Sequence, residues 1–491
     1  GITAGGNTLS TSETLAFTAG TGITIAESGG AVTITNSVTD TNTWRGVTAG
    51  GNTLATSETL AFTAGTNVTI TESGGAVTIT AASGGASVSN DLTDVLNHAT
   101  DFQNSFLIQP DSNGSAPTTG TLDGASGNIG LGSSVFRDLT TGDYNVGIGF
   151  YALRTMTTGA RNIGIGYEAI ANTTNSNYNV GVGWAAGSGM WNAAEGNVAI
   201  GYQSMAGNTS ADNIVSIGRQ SGYNHTSGAG AVYVGYQAGK ANTTGARNIA
   251  IGYQAYDAAD TESDNIAIGY DALGGAVAGG EKNLAIGNYT LDALTSGDGN
   301  IAIGYNACTT MTTASQSVGI GQSALKNIDT GSNNVAVGYE AMEGAANSSA
   351  ADNTAVGKAA LKAAADGTSQ NTAIGLNALI LATGDDNTAV GDNAGNSITT
   401  GQRNILVGGS SGHALQDDSD NVCLGYNAGD NLTAGNGNVI IGSYSDALST
   451  TDSKQLTIGS SQGSTLNWIT GTSDGSVNLP NSILKINGSV G

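Results

Sequence analysis

The chain is poor in proline, cysteine, histidine and positive charge. Three prolines among 491 residues exclude a collagen-like or proline-rich linker chain. Two cysteines, Cys308 and Cys423, cannot build a disulfide framework. The three histidines, His98, His225 and His413, lie in different segments, so no histidine-centred metal or catalytic cluster is expected. Only 14 Lys and Arg stand against 38 Asp and Glu, for a formal net charge of −24. No basic face is available for nucleic acid, which needs phosphate neutralisation, or for anionic lipid headgroups. The acidity reads as a solubility device. No run of 18 apolar residues occurs, so no spanning helix and no membrane insertion is expected. Position 1 is Gly and no signal-peptide pattern follows, which reads as a processed chain or a piece of a longer one.

What is abundant is glycine, at 77 residues, more than double the average usage of about 7%. Aliphatic residues recur among these glycines at fixed spacing, so the low complexity is ordered rather than disordered. From Asn128 onward a pentapeptide repeats: Asn, aliphatic, small, aliphatic, Gly. NVGIG (145–149), NIGIG (162–166), NIAIG (248–252, 265–269, 300–304), NVAVG (334–338) and NVIIG (438–442) are examples. The closing glycines run from Gly132 to Gly459, mostly 17 residues apart with a few steps of 16, 18 or 19. That period is too short for helical repeats or propeller blades and fits one coil of a solenoid. The predicted fold is an all-β, parallel β-solenoid (a β-roll) of about 20 coils of 17 residues, each with two short strands and two turns.

The motif gives each position an expected place. Its second and fourth residues share one face of a strand and are expected to form the interior stack. The Gly permits a turn closed to other residues. A second segment, such as Tyr167-Glu168-Ala169-Ile170, then turns its Ala inward. Asn, which opens 16 of 20 motifs, either hydrogen-bonds the coils above and below or simply suits a turn. The middle residue is small in 16 of 20 copies and is expected to face outward. Uniformly small outward residues imply a neighbouring backbone, so Gly147, Gly164, Ala250, Ala267, Ala302, Ala336 and Ala373 are the candidate seam between identical solenoids. The break to Leu406, Ile440 and Thr457 implies altered packing near the end. The residue after the Gly is aromatic in half the coils, including Tyr167, Trp184, Tyr202, Tyr236, Tyr253, Tyr270 and Tyr305. Such a ladder packs coils or chains together, or binds sugars; packing is the favoured reading.

Four segments follow. Residues 1–80 hold two β modules of 45-residue period, with Gly29-Gly30 and Gly74-Gly75 as expected hairpin turns. Residues 81–127 form a junction, with a short helix expected over 91–106 from Leu92, Val95, Leu96, Ala99 and Phe102. Residues 128–459 are the solenoid. Residues 460–491 lose the period and read as a β cap over the last coil.

Chemistry-bearing patterns are weak. Gly408-Gly409-Ser410-Ser411-Gly412 and Gly459-Ser460-Ser461-Gln462-Gly463 match a nucleophile elbow in letters only, without the strand-to-helix context it needs. Gly235 to Lys240 lacks the spacing of a phosphate loop. Acidic clusters at Asp257, Asp260, Glu262 and Asp264, and at Asp417, Asp418 and Asp420, match no calcium loop and read as solvated turns. No catalytic, cofactor-binding or metal-binding residue is expected, and the chain reads as a non-enzyme.

The repeated Asn-Ile-Ala-Ile-Gly followed by Tyr-x-Ala resembles the head repeats of YadA-like trimeric adhesins. The resemblance spans about 330 residues and implies a left-handed β-roll assembled as a homotrimer; its coils are usually shorter than these. The phrases TAGGNTL, SETLAFTAG and ESGGAVTIT, with the terminal QLTIGSSQGSTLNWITGTSDGSV, resemble tail-fibre and virion proteins of marine tailed phages. That resemblance implies a virion fibre. Its N-terminal modules would meet a baseplate or tail component, and its distal surface a host glycan or outer-membrane component. The alternative is a bacterial cell-surface adhesin or extracellular filament subunit. An ice-binding solenoid and a polysaccharide-cutting tailspike are disfavoured, because the threonines sit at turns and no carboxylate pair faces one groove.

Overall fold

The computed structural model describes residues 95–99, 101–109, 119–460 (except 190–192 and 208–209) and 467–479, together with short N-terminal strands. The chain divides into two compact units, Gly1–Leu96 with Pro110–Pro117, and Asn97–Gln109 with Thr118–Gly491.

In the first unit, the duplicated sequence gives duplicated hairpins. Strand Ile23–Ser28 pairs antiparallel with Ala31–Asn36, and Val68–Ser73 pairs with Ala76–Ala81. Equivalent strands of the two repeats also pair antiparallel, Val32 with Ile79 and Ile34 with Val77. The result is one four-stranded sheet. Strands Thr3–Ala4 and Asn7–Thr8 pair with each other, as do their counterparts Thr48–Ala49 and Asn52–Thr53. The glycine pairs expected at the turns lie outside the described residues, although Ser28 faces Ala31 and Ser73 faces Ala76 across them.

The second unit is a parallel β-solenoid of about 19 turns. Each pentapeptide contributes one three-residue strand, and each strand pairs in parallel register with the next, as in Ile249↔Ile266 and Ile251↔Ile268. The strand is fixed by β-branched residues on both sides of a small one. Backbone bonds run both ways along the axis: Ile163 N–H donates to Asn179 O at 2.8 Å, and Gly166 N–H to Ile148 O at 2.7 Å. At about 4.8 Å per rung, the twenty rungs from Ile129–Leu131 to Leu456–Gly459 span roughly 90 Å.

The second wall of each coil is not the expected second strand. The residues two and four places after the motif Gly adopt left-handed backbone angles, for example Tyr151 (φ 60°) and Leu153 (φ 50°). These angles turn the fourth residue inward, where Phe136, Leu153, Ile170, Met205, Leu273 and Leu325 are all fully buried. At the motif Gly itself no side chain fits. A Cβ on Gly149 (φ +125°) would lie 2.5 Å from the carbonyl oxygen of Gly166, and the same contact repeats up the stack.

The asparagines form the ladder that stacking allows. Asn145 N–H donates to Asn128 Oδ1 (2.9 Å), and Asn145 Nδ2 donates to Gly159 O (2.9 Å). Asn162 repeats both bonds with Asn145 Oδ1 (2.9 Å) and Ser176 O (2.8 Å). Where Asn is missing, Ile214 and Ser317 still donate their N–H to the preceding Asn side chain.

Among the described residues, 95–99 and 101–106, the helix expected over 91–106 is not formed. The segment gives two strands instead, Val95–Ala99 and Phe102–Ile108. Phe102 and Leu107 are buried, and the second strand pairs parallel with Ile129–Leu131 as the first rung. Those apolar positions fit a strand that starts a sheet as well as one face of a helix, and the open edge of the first rung selects the strand. At the other end, Leu456–Gly459 pairs antiparallel with Asn467–Gly471, which pairs with Val477–Asn478. This reversal ends the parallel series.

Candidate interaction surface

The strand's two faces are the reverse of the sequence expectation. The middle motif residue is buried in all twenty rungs, and the flanking aliphatic residues face outward. Ile129 is 49% exposed, Leu131 46% and Ile405 44%. Gly147, Gly164, Ala250, Ala267, Ala302, Ala336 and Ala373 therefore line the inside of their own coil and present no side chain to a neighbouring chain. The cause is interior width. A Cβ on Gly164 would lie 2.9 Å from Leu153 Cγ, and one on Gly319 2.6 Å from Cys308 Sγ. The opposite wall already fills the space, leaving room for nothing beyond Ala.

Exceptions to the small residue are matched across the coil. Tyr233 is fully buried, and glycines flank its ring where other coils carry Leu, Ile or Met. A Cβ at Gly239 would lie 2.2 Å from the ring and one at Gly222 2.8 Å. Leu406 sits likewise against Gly395 and Gly412, at 2.5 and 2.7 Å from their Cβ positions. Gly429 makes room for Cys423 and Ile440. The break at Leu406 and Ile440 is thus a change of interior packing, compensated by Gly on the facing wall. The size exchange is written in the sequence as Gly222, Gly239, Gly395, Gly412 and Gly429, each four places after a motif Gly, but it is legible only once that place is known to face the strand's middle residue.

The outward aliphatics form two parallel rows, one on each side of the buried residue. Beside them runs the aromatic ladder. Phe150, Tyr167, Trp184 and Tyr202 stack face to face, with centroids 5.7, 5.6 and 4.8 Å apart. Arg219 bridges the next gap, its guanidinium 5.5 Å from the Tyr202 ring and 5.6 Å from Tyr236. Tyr236, Tyr253 and Tyr270 continue the stack at 4.8 and 5.1 Å. The 18-residue step then puts Asn288 after the Gly and shifts the ring to Tyr289, edge-on to Tyr270 and Tyr305. Within the parallel stacks each ring's face is covered by its neighbour, so only edges are open. A sugar stacks on an open face, and this geometry favours packing. Beside the rings, Gln203, Gln220, Gln237 and Gln254 pass amide hydrogen bonds from coil to coil at 3.1, 3.0 and 3.5 Å.

The acidic turns are engaged within the coil stack. Glu262 accepts the N–H groups of Asp260, Thr261 and Gly279. Asp264 and Asp420 form two-point ion pairs with Arg247 and Arg403, whose hydrogen bonds lower both carboxyl pKa values. Asp417 accepts from Thr399 and Thr400, and Asp418 accepts from Gly435 N–H. Among the described residues no group of three or more His, Cys, Asp or Glu converges on one point. Cys308 and Cys423 are buried, and burial pushes both thiols up to about 12. His225 is buried with Nδ1 3.0 Å from Asn242 Oδ1, Nδ1 3.3 Å from the Tyr233 hydroxyl, and Nε2 against Gly228 O. Desolvation lowers its pKa. His413 is exposed, and Ser411 of the first elbow-like string points into the coil. Threonines of the polar turn donate to the next coil, as Thr157 Oγ1 does to Thr174 O at 3.0 Å.

No protein-family model, no curated protein and no solved structure matches the chain.

Proposed function

We propose that the chain is the rod of a homotrimeric fibre of a tailed virus particle. In this reading its N-terminal modules meet a baseplate or tail component, and its distal surface binds a host glycan or outer-membrane component. The observation that carries the reading is the pair of outward aliphatic rows. Forty strand positions flank the buried residues, and all but three are Ile, Val or Leu. Together they leave apolar area on the order of 2,000 Å² per chain, more than the ~800 Å² per partner of a standard interface. The largest patch on a typical monomer is roughly 300–600 Å². A second copy covers this surface most economically, because its rows repeat at the same spacing. In this reading the seam is formed by the Ile and Val rows, on the face opposite to the buried small residues. The resemblance of the repeats to trimeric adhesin heads, and of the flanking phrases to phage fibres, supports three chains and a virion setting.

The attachment role is tested by deleting the gene from the particle that carries it and measuring adsorption to host cells. Loss of adsorption is expected. Unchanged adsorption would leave a scaffold role only.

A further inference from the structure

The outward rows carry a problem of their own. A seam of near-identical rungs specifies register poorly, since a slip by one coil sacrifices only the terminal contacts and restores apolar packing everywhere else. Repetitive pairings of this kind need a marker that penalises the wrong alignment.

The sequence contains one such marker. Of the forty outward positions, three are not aliphatic, and they fall on consecutive rungs: Thr354, Thr372 and Thr388. The rungs pair Thr354↔Thr372 and Thr372↔Thr388, with Val335 before the band and Ile405 after it. All three side chains are outward and partly exposed, and none hydrogen-bonds within its own chain among the described residues. β-branched Thr keeps the strand while adding a hydroxyl to a surface that is otherwise greasy.

We infer that Thr354, Thr372 and Thr388 are the register key of the fibre, meeting the same residues of a second copy of this chain; this rests on the homotrimer reading above. In parallel, in-register association the hydroxyls face one another and can exchange hydrogen bonds. A slip of one coil puts Thr354 against Val335 and Thr388 against Ile405 in the neighbouring chain, so two of three matches survive. A slip of three coils leaves none. The band sits on rungs fourteen to sixteen of twenty, off centre. An antiparallel copy therefore sets it against Val198, Val215 and Val232. A hydroxyl buried against an aliphatic row loses its water partners and gains none. A polar residue in an apolar seam fixes alignment in coiled coils by the same means.

The test uses chains carrying two different tags, one with Leu284→Cys and one with Ile266→Cys, both in the same outward row as the threonines, co-expressed and oxidised. These positions are outward on adjacent rungs. With the native band, disulfides should form only between chains of the same variant. Adding Thr354→Val, Thr372→Val and Thr388→Val, isosteric surface changes that preserve the strand, should produce disulfides between the two variants. Mixed disulfides with the native band, or none with the valine band, would overturn the register role while the trimer stands. No interchain disulfide together with a monomer mass would overturn the seam, and the register key with it.

Discussion

Ala267 and Ile268 are neighbours in sequence and should fail in opposite ways. Ala267→Arg forces a cation into a fully buried position, where an unpaired charge costs several kcal/mol or more. The local coils should open, seen as lost thermal stability and new protease sites. Ile268→Asp places its charge on the outward face, so the coil should keep its circular dichroism while the oligomer weakens. The opposite pairing of outcomes would return the small residues to the seam. Asn145→Ala removes the acceptor of Asn162 N–H and the donor to Gly159 O. Each buried group left unsatisfied costs about 1–3 kcal/mol, readable as a lower denaturant midpoint. His225 sets a pH dependence. Its pKa is lowered in the fold, so the unfolded chain binds the proton first, and stability is full above the unfolded value of 6.5 and falls as pH drops below it. Denaturation at about pH 7 and pH 5 should show this loss, and His225→Leu, which matches Leu294 in another coil, should remove that share of it.

At the scale of the coil, the facing positions should behave as a unit. Gly412→Leu should clash with Leu406, since even a Cβ lies 2.7 Å from it, and Leu406→Ala alone should leave a cavity costing about 2–5 kcal/mol. The double variant recreates the Ala373 and Leu379 pairing of another coil, whose Leu379 (φ 51°) shares the backbone of Gly412 (φ +58°). It should be more stable than either single change, with a coupling of about 1 kcal/mol or more in a double-mutant cycle. Simple additivity would contradict the matched interior. The same scale shows what the sequence could and could not reveal. Period, strand and ladder were legible because Asn, Ile and Gly recur at fixed offsets. Alternation says which residues share a face but not which face is inside. Hydrophobicity alone assigns large aliphatics to the core, yet the interior at the strand is narrow and filled from the opposite wall by residues such as Leu153 and Leu325. Likewise 91–106 carries apolar spacing that serves a helix or a strand, and the unpaired edge of the first rung decides it for the described residues.

At the scale of the molecule, the solenoid leaves two aliphatic rows open to water, and the proposed homotrimer would cover them. The solenoid's stability is a sum of coil and neighbour terms, while in the proposed homotrimer assembly rests on the outward face and alignment on the three threonines. The central claim is that this face is a seam between three copies. Size-exclusion chromatography with light scattering tests it most directly. Three chains of 48.4 kDa predict about 145 kDa for the native protein, reduced by Ile268→Asp. A native mass of 48.4 kDa at micromolar concentration would contradict the seam and leave the aliphatic rows exposed to water.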